Sequence, residues 1–136
     1  MAHARELTRN QSLVLDTLSS ADAPLSAYDI LDRLRGDGLR APLQVYRALD
    51  KLREKGLAHR LETLNAFVAC AGTHNHKTGL IAFAICETCG QVSEFADDLV
   101  RERLEGWARE TGFVSSSTVI EIRGVCAGCS RAGTAA

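Results

Sequence analysis

Cys86-Glu-Thr-Cys89 and Cys126-Ala-Gly-Cys129 are two C-x-x-C pairs separated by 36 residues, and they constrain this chain more than any other feature. Two cysteines three apart can place both thiolates on one cation, and two such pairs complete a closed tetrahedral site of four sulfurs. A redox-inert cation with every coordination position filled has a structural role, which suits zinc. An iron–sulfur cluster or a pair of redox dithiols would use the same residue types, and spacing alone leaves both open. Structural disulfides are not expected. Residues 1–10 are polar, with no apolar leader, and no apolar run approaches the ~20 residues of a membrane span. The expected location is the cytoplasm, where structural disulfides are rare.

The 136 residues are enough for one domain or two small ones, and 46% hydrophobic with 24% charged side chains argues against a disordered chain. Aromatics are only 5%, so the core must be aliphatic. The net charge of -1 conceals an asymmetry: residues 39–60 hold six basic against two acidic side chains, and residues 61–136 hold six against nine. A basic segment in a neutral chain points to an anionic partner for that segment.

The basic segment belongs to a helical pattern. Thr8-Arg-Asn-Gln11 is a capping box that opens a first helix over about Arg9–Ser19, and Ala21-Asp-Ala-Pro24 breaks it. Ser26-Ala-Tyr-Asp29 opens a second helix with Ile30, Leu31 and Leu34 inward, and Gly36-Asp-Gly38 ends it. Pro42 starts a third, on which Val45, Ala48, Leu49 and Leu52 form a buried stripe. Gln44, Arg47 and Lys51 fall within an arc of about 60° centred about 120° from that stripe. One face to dock on a core and one to hydrogen-bond is what a helix in a DNA groove requires. Gly56 stops the helix, and Leu57–Glu62 and Ala66–Cys70 form a hairpin wing. The pattern predicts a winged helix-turn-helix.

Beyond the wing the texture changes. Residues 70–79 are polar, carry two glycines and form a hinge between a DNA-binding domain over residues 1–69 and a second domain over residues 80–136. The second domain is expected as strands at Leu80–Ile85 and Gln91–Phe95, a helix at Ala96–Thr111 with Val100, Leu104, Trp107 and Ala108 on one face, and a strand at Val114–Val125. Residues 130–136 are expected to fray. The fold class is α+β: an N-terminal winged helix-turn-helix followed by a small C-terminal β-β-α-β unit. A unit of ~55 residues has little core of its own, and a metal clip and a subunit partner would each supply what it lacks.

A second donor set lies around the joint. Cys70, His59, His74 and His76 offer a thiolate and imidazoles, the donors zinc prefers over hard cations, and Glu94 is a candidate fourth ligand. Singly, each has an ordinary explanation as a small buried thiol, a surface histidine or a solvated carboxylate. Together, straddling two domains, they favour a site.

Leu25-Ser-Ala-Tyr-Asp-Ile-Leu31, Val45-Tyr-Arg-Ala-Leu-Asp-Lys-Leu52, Gly56-Leu-Ala-His59 and Ile85-Cys-Glu-Thr-Cys-Gly90 resemble the ferric uptake regulator family of bacterial metalloregulators, and within it the zinc uptake branch. The resemblance runs from about Leu7 to Cys129 in the family's order. It implies a homodimeric, zinc-responsive repressor of zinc uptake genes, with a winged helix that binds AT-rich palindromic double-stranded operator DNA and a C-terminal unit that dimerises. It implies one structural zinc per subunit at Cys86, Cys89, Cys126 and Cys129, and at least one regulatory zinc at His59, Cys70, His76 and Glu94, with His74 as the alternative to His76. Tyr28 and Arg47 match the family's DNA contacts, and with Gln44, Tyr46 and Lys51 they make up the candidate DNA-binding set. Gln44 departs from the family, which usually has threonine before Val-Tyr-Arg; glutamine can itself read adenine.

Two rival readings stand beside this one. An enzyme is disfavoured: there is no H-x-E with P-C-x-x-C of a zinc deaminase and no phosphate-binding glycine loop. No membrane or small-molecule substrate is expected. The other rival keeps the family and changes the signal to iron, manganese, nickel or peroxide. Cys70 argues against it, since a thiolate draws a site toward zinc and away from the oxygen and imidazole donors suited to iron and manganese.

Overall fold

The structure is a computed structural model that describes residues 7–71 and 80–134. It divides into two compact units, Met1–Cys70 and Ala71–Ala136. Most of the expected hinge, with His74 and His76, lies outside the described residues.

The first unit contains α1 (Arg9–Ser20), α2 (Ala27–Leu34), a 3-10 turn (Arg35–Asp37), α3 (Pro42–Glu54), β1 (Ala58–Leu61) and β2 (Ala66–Ala69). The expected caps form. Thr8 and Gln11 exchange hydrogen bonds at the start of α1, and Ser26 and Asp29 do so at the start of α2, satisfying backbone donors that the helices cannot. Pro42 takes the first turn of α3, where it has no N–H to lose. Gly56, at φ 74°, ends α3: Leu57 N–H donates to the Leu52 carbonyl at 2.9 Å.

Val45, Ala48, Leu49 and Leu52 are all buried on α3, against Val14 of α1 and Ile30 and Leu31 of α2. Removing each of the larger aliphatic side chains from water contributes about 1.5–3 kcal/mol, which locks the orientation of α3. β1 and β2 pair antiparallel, with His59 opposite Val68, and Asn65 at φ 49° takes the left-handed position of the turn. Leu25 adds a backbone bridge to Phe67 that local patterning did not foretell, donating at 3.0 Å and accepting at 2.7 Å. This is a winged helix-turn-helix.

The second unit contains β3 (Leu80–Cys86), β4 (Val92–Phe95), α4 (Asp98–Thr111), β5 (Thr118–Gly124) and α5 (Ala127–Thr134). The sheet order is β4-β3-β5, with β4 antiparallel and β5 parallel to the central β3. A parallel neighbour needs a crossover connection, and α4 supplies it.

Three local expectations are corrected. The helix starts at Asp98, because Asp97 caps it by accepting from Val100 N–H at 3.1 Å. The last strand starts at Thr118 rather than Val114: Phe113 turns back, donating its N–H to the Ala108 carbonyl at 2.8 Å and packing its ring on Trp107 at 5.6 Å. The expected frayed end is instead α5, begun by the hydrogen bond from Ser130 N–H to the Cys126 carbonyl at 2.8 Å. No residue of α4 is buried, and Trp107 is 55% exposed. No helix among the described residues is long and apolar enough to cross a membrane.

Candidate metal centres and nucleic-acid interface

Cys86 is the last residue of β3, and the chain turns there through Gly90, at φ 79°, whose N–H donates to the Cys86 carbonyl at 2.9 Å. That turn brings Cys89 back under Cys86, and the Cys89 N–H points at the Cys86 sulfur at 3.4 Å. β5 runs parallel beside β3, so its end delivers Cys126 to the same place, with its N–H 3.3 Å from that sulfur. Cys129 follows in the first turn of α5. The four sulfurs lie within 4.8 Å of one another, and none is in a disulfide.

Cys89 Sγ and Cys126 Sγ are 3.9 Å apart. A tetrahedron with metal–sulfur bonds of about 2.3 Å has sulfur–sulfur edges of about 3.8 Å. Donor type, number and spacing therefore all fit a closed zinc site.

The backbone N–H groups of Cys126 and Cys89 aimed at Cys86 lower its pKa from 9.0 to about 6. The Cys129 thiol is instead pushed up to about 12, chiefly by hydrogen bonds with the Cys126 and Cys89 side chains. The metal-free cluster thus holds a thiolate at Cys86 and a proton at Cys129 at neutral pH. The Cys86 contribution to stability is complete above pH 9 and is lost as pH falls through about 6. Zinc binding must expel the remaining protons, so its affinity should fall as pH falls.

The second donor set starts in the first unit. His59 is 7% exposed on β1. Cys70 follows β2 and is fixed by its N–H donating to the Leu57 carbonyl at 2.8 Å. Hairpin register puts both side chains on one face, where a His59 ring nitrogen and the Cys70 sulfur lie within 4.8 Å. In the second unit Glu94 is on β4, opposite Phe83, and its carboxylate accepts from Ala71 N–H at 3.0 Å.

The outward side of α3 carries Arg47, Lys51 and Tyr46, all exposed, and Tyr28 at the start of α2 is 62% exposed. Lys51 makes a solvent-exposed ion pair with Glu54 at 3.3 Å, a contact that water screens and a phosphate can displace. Gln44 has a role that helical patterning missed. Its side-chain carbonyl accepts from the N–H groups of Arg40 at 2.8 Å and Ala41 at 3.1 Å, so it fastens the entry to α3. Bidentate adenine readout needs both halves of the amide, and here the acceptor half is engaged. The signal was available: glutamine three residues past the residue that precedes the helix is the capping-box position.

Fold and donor sets together define a winged-helix protein whose second unit carries a four-cysteine set fit to hold a metal. The ferric uptake regulator family profile matches residues 4–123, and the chain belongs to that family. It is 40% identical over 124 residues to the zinc uptake regulation protein of Escherichia coli strain K12, covering 90% of this chain and 72% of that relative. A solved zinc uptake regulator complexed with zinc and DNA superposes with a TM-score of 0.87 at 34% identity, covering 98% of this chain and 91% of that one. The holo form of XcZur gives a TM-score of 0.81 at 38% identity, covering 92% of this chain and 86% of that one.

Proposed function

We propose that this chain is a zinc-responsive transcriptional repressor that acts in the cytoplasm and binds palindromic operator DNA as a homodimer when its regulatory site is loaded. It controls zinc uptake genes and is not an enzyme. The observation that carries this reading is the His59–Cys70 pair: a nitrogen and a thiol, zinc's own donors, sit side by side on the wing of a DNA-binding fold. The relatives named for zinc uptake, and the one solved with zinc and DNA, support the same signal and partner.

In this reading the domains are residues 1–69 and 80–136 with a hinge at 70–79, Cys86, Cys89, Cys126 and Cys129 hold a structural zinc, and Glu94 and His76 (or His74) join His59 and Cys70. Bound zinc supplies a closed coordination shell that ties its ligands together. Ligation by residues from both units would fix the DNA-binding unit against the dimerising one. In a two-fold dimer it would also fix the spacing of the α3 helices, which must match half-sites about one helical turn (~34 Å) apart. The exposed apolar side chains Leu104, Trp107, Phe113 and Val119 give α4, β5 and the turn between them a surface for the second copy to cover.

The test is zinc-dependent binding by the purified chain to duplexes it selects from a random pool. Saturable binding with zinc, and its loss on chelation, is expected; binding driven equally by iron or manganese would move the signal to another metal. Arg47→Ala should weaken binding to the selected duplex by about 1–3 kcal/mol if Arg47 reads a base. An equal loss on random DNA, with a shallower salt dependence, would make it a phosphate contact instead.

A further inference from the structure

The outward face of α3 has an apolar residue at its centre. By helical geometry Leu43 lies about 170° from the middle of the buried stripe formed by Val45, Ala48, Leu49 and Leu52, almost diametrically opposite the core. It is 56% exposed and takes no part in the core. It stands at the second position of α3, one turn before Arg47 and within about 40° of it around the helix. The first turn of a recognition helix is the part that meets base edges.

The neighbouring Gln44 has its side-chain carbonyl bonded to the N–H groups of Arg40 and Ala41, so that acceptor is not offered to a base. The same two bonds fasten the entry to α3, immediately before Leu43. A branched aliphatic side chain offers a groove no hydrogen bond. What it can recognise there is the one apolar group on a major-groove base edge, the 5-methyl of thymine.

We propose that Leu43 is a specificity-determining residue that reads a thymine methyl in each operator half-site, an inference that rests on the repressor reading above. The contact buries the methyl against the leucine, so thymine is preferred there over cytosine, which lacks it, and over uracil, which differs only by it.

The experiment uses the full-length, zinc-loaded protein and the duplex it selects from a random pool, with each thymine replaced in turn by deoxyuridine. The wild type is expected to lose about fourfold in affinity at one thymine per half-site, the value of burying one methyl-sized group. Leu43→Ala should bind the thymine duplex about as weakly as the wild type binds the uracil duplex, and lose nothing more on the exchange. Alanine favours helix and Leu43 is outside the core, so the variant should keep its fold, checked by circular dichroism. If the uracil penalty persists unchanged in Leu43→Ala at every position, or if the variant loses equally on random DNA, Leu43 reads no methyl. If the zinc-loaded wild type enriches no sequence at all, the repressor reading fails and the role of Leu43 fails with it.

Discussion

Replacing Cys86 with serine is expected to remove the zinc of the four-cysteine cluster and unfold the second unit. Cys86 ends the central strand, and its sulfur receives the N–H groups of both Cys89 and Cys126. No other cysteine of the four touches both knuckles through the backbone in this way among the bonds described. The unit has little else to hold it among the described residues: α4 buries no residue there, and the sheet has three strands. Closed zinc sites in finger peptides contribute about 10–16 kcal/mol of apparent binding free energy, as large as the whole ~5–15 kcal/mol by which typical domains are stable. Cys126→Ser should act similarly, since it opens the same site. Zinc content by atomic absorption, dimer content by ultracentrifugation and thermal unfolding together check the prediction. A variant that keeps its zinc, its dimer and its melting temperature would show that the cluster is not structural.

Cys70→Ser should have the opposite profile. Serine matches the size of cysteine, and the backbone bond that holds position 70, from its N–H to the Leu57 carbonyl, does not involve the side chain. The folded chain and its four-cysteine zinc should therefore survive. What should disappear is zinc-dependent operator binding, because a neutral hydroxyl is a poor substitute for a thiolate ligand. If regulatory zinc raises operator affinity by ~100-fold, the coupling is about 2.7 kcal/mol, and by reciprocity operator DNA must tighten zinc binding at that site by the same factor. The variant should lose both effects together, measurable by zinc titration with and without DNA. Wild-type sensitivity to zinc in this variant would make Cys70 a packing residue and place the sensor elsewhere.

Much of the fold was legible because its signals are local. Capping boxes at Thr8 and Ser26, proline at the start of α3 and Gly56 at its end are decided within four residues of themselves, and all appear where the pattern put them. The buried stripe of α3 is a property of helical period alone. The four-cysteine set was also readable, since each pair carries its own geometry and only the meeting of the pairs is long-range.

Tertiary structure decided the rest, for reasons of distance along the chain. The parallel pairing of β3 with β5 joins residues 38 apart, from Leu80 with Thr118 to Cys86 with Gly124, and it brings the two cysteine pairs together. Nothing in the strand sequences states which neighbour is parallel. The Leu25–Phe67 bridge and the placing of His59 beside Cys70 likewise depend on hairpin register. The terminal segment was expected to fray; as far as Thr134 it is helical, following directly on the turn that carries Cys126 and Cys129 to the cluster. Gln44 was read from its angle on the helix as a groove-facing amide, and the structure uses its carbonyl to hold the chain entering α3. Sequence period determines which residues share a face; only the folded chain determines which of their atoms are already engaged.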